Sequence, residues 1–321
     1  MEIKGILVSL LAPMSDHIAN GGEKILGNAS SIKRRPDGRV YISGQKQRHA
    51  LFSALDRLNR DDARIVGGAE TYVSNGDGIT TLVETDLRAD LGGFLDTNKG
   101  SYSGRRTAPL TATPAVALEP SEVGRDLLIR LKVNTDDEST RNQALATRKY
   151  SQHDIMKMNF FIDISAVSIR KRFRYSGEKH VETQFVKHTS EEERKRRIRL
   201  ALEATSLLTD YANNARNATS GEPQQVLIVF DTRLSRKASR YFGAGEPERV
   251  NILNELAGRG AIYFLGDDTT ADGDSVDATY KKAFAFLAAN TLYDPTNGAA
   301  PMTTAEFDSA KWRSGQKPAS R

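Results

Sequence analysis

The stretch GRVYISGQKQRHALFSALDRL, residues 38–58, passes from strand to helix within a few residues. Val40, Tyr41 and Ile42 form a short β-branched and aromatic run that stops at Ser43-Gly44. Ser43 is a good N-cap, so a helix is expected to start at Gly44 and run to about Asn59. Leu51, Phe52, Leu55 and Leu58 recur at helical spacing and give that helix one buried face. Its opening turns instead carry Gln45, Lys46, Gln47, Arg48 and His49, directly after a basic segment Lys33-Arg34-Arg35. A helix N-terminus with free N–H groups and nearby cations suits a phosphate.

Outward from this point the chain alternates strands and helices. Residues 3–11 read as a buried strand ended by Pro13, and residues 15–39 as a polar, Gly-rich, basic loop. Residues 61–150 are broken by glycines, with a helix turn expected at 80–87 and a strand at 127–133; most of this region reads as an insertion. Residues 160–169 alternate as a strand, and 170–188 form a hairpin or loop centred on Ser176-Gly177. Ser190 and Glu193 make a capping box for a helix expected to reach Asn213, followed by a buried strand at 226–230. The order strand, helix, strand, strand, helix, strand is that of the ferredoxin-like arrangement, with residues 127–133 as its second strand. Helix, strand and helix follow at 251–257, 262–265 and 279–290. The expected organisation is a palm from 1–60 and 155–300, an insertion at 61–154, and a mobile C-terminal tail at 301–321.

The 321 residues are 38% hydrophobic and 27% charged, which describes a soluble globular chain rather than a disordered one. No apolar run approaches the roughly 18 residues of a membrane span, so no membrane contact is expected. Met1 leads straight into a strand pattern without a secretory leader. The absence of cysteine removes disulfides and thiolate zinc sites and fits a reducing, cytoplasmic setting.

The net charge of +5 is modest, so clustering carries the argument. Basic groups gather at Lys33-Arg34-Arg35 with Arg39, at Lys46 with Arg48 and His49, and at Arg105-Arg106. Two further clusters are Arg170-Lys171-Arg172 with Arg174, and Arg233, Arg236, Lys237 and Arg240. Any one cluster also has the composition of a solvated turn. Most of them fall at the ends of core elements, which favours a path of separated cations of the kind that tracks a nucleic-acid backbone. The densest run, residues 194–199, follows Glu191, Glu192 and Glu193 at pairing distance and reads as a helix with its own counter-charges. Phe173 and Tyr175, Tyr241 and Phe242, and Tyr102 stand near cations as base-stacking candidates; Phe160 and Phe161 read as core.

Catalytic patterns are absent. There is no G-x-S-x-G elbow, the five histidines are scattered, and Asp268 to Asp277 lacks calcium-loop spacing, reading as an acidic turn with Asp277 as the cap of the next helix. No catalytic residue, metal or cofactor is therefore expected.

The segments Gly27-Asn28-Ala29-Ser30, Ile42-Ser43-Gly44-Gln45 and Arg48-His49-Ala50-Leu51 together resemble the N-terminal signature of the backbone subunits of CRISPR Cascade, in the DevR-like branch. Arg106-Thr107-Ala108-Pro109-Leu110 with Pro114 resembles that family's finger segment, and residues 160–164 its central strand; the last third of the chain matches poorly. The resemblance implies an α+β fold: a modified ferredoxin-like, RNA-recognition-motif palm with an inserted helical finger region and a protruding thumb loop, at 170–189 or 232–250. It further implies a non-catalytic subunit that polymerises head to tail with copies of itself along CRISPR guide RNA. That RNA would be presented to target DNA beside other Cascade subunits. The guide contacts implied are Lys33, Arg34, Arg35, Ser43, Gly44, Gln45, Lys46, Arg48 and His49. Arg105 and Arg106 on the fingers, and Arg170, Lys171, Arg172, Phe173 and Arg174 near the thumb, complete the set. The alternatives are a type III-like nuclease using Asp16 or Asp37, and a structural protein that self-assembles without nucleic acid.

Overall fold

The computed structural model describes the chain apart from residues 21–22, 25–29, 63–69, 96–104, 133–141, 177–178, 213–216 and 310–321. The fold is α+β. Strand β1 (Gly5–His17) is followed, after residues 18–40, by the short strand Tyr41–Ile42 and α1 (Gly44–Arg60). After α2 (Leu87–Gly92) come β2 (Leu110–Ala112), β3 (Ala115–Ala117), β4 (Val123–Lys132) and the long β5 (Asn142–Asp163). A hairpin of β6 (Ile169–Ser176) and β7 (Lys179–Lys187) precedes α3 (Glu191–Ala204) and β8 (Gln225–Asp231). A 3-10 helix (Lys237–Gly243), α4 (Glu246–Gly258), β9 (Ile262–Asp267), α5 (Val276–Ala289) and α6 (Thr304–Ser309) follow.

The main sheet runs β9-β8-β1-β5, and β2 and β3 lie on the far side of β5; each of these neighbouring pairs is antiparallel. Taking β2 and β3 as one interrupted strand and setting aside α2, β4 and the β6–β7 hairpin, the core connections read strand, helix, strand, strand, helix, strand. Ile6, Val8 and Leu10 of β1, Met158 and Phe160 of β5, and Ile228 and Phe230 of β8 face α1, α3 and α5 in the larger core. Leu7, Leu11, Phe161, Leu227 and Val229 face the other way, under the 3-10 helix and α4. Burial on both faces explains why β1 reads as a continuous apolar run instead of an alternating one.

Several expectations are corrected. The first strand continues through Pro13 to His17 because β5 pairs with it to the end, whereas β8 accompanies it only as far as Leu11, leaving no described strand on that edge beyond it. A proline is tolerated on such an edge. Residues 127–132 do form a strand, but it pairs with the distal half of β5, from Asn142 to Ser151. The place beside Phe160 belongs to Leu110–Ala112, with Ala115–Ala117 farther along; Pro114 divides them into pieces too short to show a period. The helix expected at 80–87 begins at Leu87, capped by Asp86. Among the described residues it is the insertion's one helix, so the described insertion is mostly strands and loops.

Helix α3 stops at Ala204 because the Thr205 and Ser206 hydroxyls donate to the carbonyls of Leu202 and Glu203 at 2.6 and 2.8 Å. Only half of its capping box forms: the Ser190 Oγ accepts from Glu193 N, while the Glu193 carboxylate turns to Arg196 and Arg197. Ser275, not Asp277, caps α5. The expected mobile tail holds α6, whose Phe307 is buried; residues 310–321 lie outside the described residues.

Candidate nucleic-acid interface

Helix α1 starts as its sequence dictates. Ser43 sits at φ −61°, ψ 151°, and its hydroxyl accepts from Lys46 N at 3.2 Å. Gly44 lets the helix press on the β2–β3 turn, since a Cβ there would lie 3.0 Å from the Ala112 carbonyl oxygen. Gln45 is exposed, and the half-buried Lys46 ammonium has no partner among the described residues. The remaining cations of this segment are engaged. Arg48 donates to the Gly92 carbonyl at 2.7 Å over the Phe52 ring, and His49 faces Asp210 at 3.1 Å. Arg48 therefore anchors the insertion, and its burial lowers its pKa. Upstream, Lys33 is exposed and Arg34 donates to the Ser121 carbonyl at 2.9 Å. Gly27, Asn28 and Ala29 of the signature lie outside the described residues.

Lys157, on β5, was not singled out from the sequence. It pairs in register with Leu11 and Val116, and its ammonium packs under Gly243, where a Cβ would come within 2.6 Å of it. Burial, then Arg39 and Arg35, lower its pKa. Three cations thus converge, with Asp37 bound to Arg39 at 2.6 Å as a surface pair. A lysine inside the run Ile155-Met156-Lys157-Met158 was the available signal.

With period-2 alternation, Lys157, Phe161 and Asp163 share the sheet face opposite the α1–α3 layer. Exposed Arg236 lies over Phe161 at 4.4 Å. Beyond Asp163 opens a cleft of about 660 Å³ between the insertion and the β6–β7 hairpin. Phe94, Arg105 and Arg106 line one wall; Arg170, Lys171, Phe173 and Phe185 line the other. Arg105 and Lys171 are exposed and make no ion pair among the described residues, although Lys171 lies 5.7 Å from the Phe185 ring. At roughly 3.3 Å per residue, the six steps from Lys157 to Asp163 set the two basic ends about 20 Å apart.

Not every expected contact is free to act. Arg106 is 8% exposed and donates to Asp90 Oδ1 and to the carbonyls of Ile169 and Ala166, so it forms the cleft floor and cannot reach out to a strand. Asp90 also accepts from Arg197 at 2.7 Å and from both the amide and the hydroxyl of Ser168. Burial opposes its ionisation, but Arg106 and Arg197 outweigh that and hold its carboxyl below the usual range. Gly93, at φ +70°, permits the close approach: a Cβ would lie 2.4 Å from the Arg106 carbonyl oxygen. Arg170 and Arg172 flank Phe307, and the Arg174 side chain lies outside the described residues.

Arg194, Arg196 and Arg197 are buried, bound to backbone carbonyls, Glu193, Asp62 and Asp90, so three of the five cations in the densest basic run are internal, while Lys195 and Arg199 are half-buried. Tyr241 and Phe242 are buried against the sheet and offer no stacking surface, and Tyr102 lies outside the described residues. Among the described residues no group of three His, Cys, Asp or Glu could hold a metal, and no helix is long and apolar enough to cross a membrane.

Comparison with known proteins then bears on this geometry. Residues 27–224 match the family described as CRISPR-associated negative auto-regulator DevR/Csa2. No curated protein matches in sequence. A chain of a solved CRISPR RNA-guided surveillance complex superposes with a TM-score of 0.53 at 13% identity, covering 89% of this chain and 99% of that one. A chain of a CRISPR RNA-guided surveillance complex described as pre-nicking gives 0.50 at 15% identity, covering 88% and 99%. At such identity the likeness is one of fold.

Proposed function

The chain belongs to the CRISPR-associated DevR/Csa2 family, and on that premise we propose that it is a non-catalytic, guide-RNA-binding backbone subunit of a type I Cascade-like complex. Copies assemble head to tail along the guide, beside other subunits, and leave base edges free to pair with target DNA. The observation that carries this reading is the row of cations along one face of β5: Lys157 with Arg35 and Arg39, then Arg236, then Arg105 and Lys171 in an aromatic-walled cleft. Separated charges on a path follow a flexible backbone, and the aromatic walls accept any base by stacking. Sequence is then read by base pairing, not by the protein. Lys33, with Gln45 and Lys46 at the start of α1, supplies a further guide contact, and the β6–β7 hairpin serves as the thumb. The 232–250 segment is the weaker thumb candidate because Ala238, Tyr241 and Phe242 pack it to the sheet. Asp37 is held by Arg39 in an ion pair at 2.6 Å, which weighs against it as the nuclease residue.

The test is equilibrium binding of a labelled mixed-sequence single-stranded RNA across a salt series. Arg105→Ala with Lys171→Ala should weaken binding and reduce the salt slope by up to about 0.7 log units per lost phosphate contact. A doubly substituted protein with native circular dichroism and wild-type affinity and slope would reject the assigned path.

A further inference from the structure

The two walls of the cleft are joined at two levels. At the foot, Asp90 of the insertion takes the Ser168 amide at 2.8 Å, and Arg106 donates to Ile169 O. A second tie is made by residues 302–308, which start at the hairpin foot, where Lys187 faces Ile169, and reach Arg172 farther out along β6. Met302 N donates to the Lys187 carbonyl at 2.8 Å, which holds this segment to β7. Thr304 donates through its amide and its hydroxyl to Glu84 of the insertion, at 2.9 and 2.5 Å. Beyond those anchors Phe307, 8% exposed, lies under two guanidinium groups of β6, Arg170 at 4.1 Å and Arg172 at 4.5 Å. Arg172 also donates to the Phe307 carbonyl at 2.8 Å, and Asp308 stands 3.7 Å from Arg170. Arg170 continues to Phe94 on the opposite wall, 5.6 Å away, and lines the cleft itself.

We propose that residues 302–308 are a strap that sets the angle of the β6–β7 hairpin over the cleft, with Phe307 a positioning residue that acts on bound RNA through Arg170. Two observations separate this from ordinary packing. The strap contacts both walls and bridges them, and the hairpin foot is already fixed by Asp90 and Arg106 without it. Releasing the strap would thus let the hairpin swing about a fixed foot instead of detaching. Arg170 and Arg172, two residues apart on one strand, share a face and move together with that swing. The inference rests on the RNA-binding reading of the cleft.

The experiment uses the full chain and the same labelled single-stranded RNA. Phe307→Ala is expected to weaken binding about tenfold, a 1.4 kcal/mol change. It should also lower the salt slope by about 0.7 log units, one phosphate contact, although no charge has been removed. Amide exchange across β6 and β7 should quicken, and Phe307→Tyr should restore all three readouts. The pair Glu84→Ala with Thr304→Val cuts the other anchor and should reproduce the effect, which keeps the test open if Phe307→Ala fails to fold. Variants that lose thermal stability but keep wild-type affinity, slope and hairpin exchange would overturn the strap, as would tighter binding. Failure of the unsubstituted protein to bind RNA would instead sink the functional reading beneath it.

Discussion

His188 lies beside the strap, 4% exposed, with neither ring nitrogen hydrogen-bonded and its ring 5.5 Å from Phe307. Burial, then Arg170 and Arg106, lower its pKa to about 4, against weaker pulls from Glu84 and Asp90. The unfolded chain takes this proton below about 6.5, whereas the native state refuses it until about 4. Stability from neutral His188 is therefore complete above pH 6.5 and is lost as pH falls from there toward 4. Between pH 7 and pH 5 the unfolding free energy should drop by about 2 kcal/mol from this group. Urea titrations at both pH values should show a smaller drop for His188→Phe; an equal drop would remove His188 as the cause. At this scale the sequence was a partial guide. It marked Arg105, Lys171 and Phe173, which the fold gathers in one cleft. It could not separate Arg105 from Arg106, because adjacent strand residues face opposite ways and only the buried Asp90 decides which one is internal.

Elements were more legible where one period persisted. β1, α1, α3 and β8 follow long apolar patterns, so their order emerged from the chain alone; of β5 only residues 160–163 were legible, its expected continuation toward 169 being a turn and its start lying back at Asn142. β2 and β3 did not emerge, since three residues on each side of a proline carry no measurable alternation. β4 emerged as a strand without its partner, because alternation records a half-buried face and says nothing about which half of β5 lies alongside. The start of α1 combines both kinds of information. Its cap is local and readable, while the contact of Gly44 with the Ala112 carbonyl depends on β2. Ser43→Ala should cost about 1 kcal/mol in chemical denaturation, the usual loss when an N-cap hydroxyl is removed. Ser43→Asp, which keeps an acceptor, should recover most of it. If alanine proves neutral, the helix start is held by the Gly44 contact and not by the cap.

For the molecule as a whole, a backbone role predicts how size depends on RNA. The cation row follows one strand of one sheet, so a single copy presents a short path and cannot cover a long guide. Repetition by a head-to-tail contact extends the path, and such a heterologous contact does not close on itself. Copy number should therefore rise in steps with RNA length. Protein freed of nucleic acid and mixed with single-stranded RNAs of graded length should give light-scattering masses that increase by whole protomers. Raised salt should dissolve these assemblies, because each added copy is bound by phosphate contacts. Material purified directly from cells should carry excess absorbance at 260 nm that ribonuclease removes. A fixed oligomer whatever the RNA length would contradict head-to-tail growth while leaving RNA binding intact. Filaments that persist after ribonuclease, with no RNA in the preparation, would favour the self-assembling alternative, since protein contacts alone would then suffice.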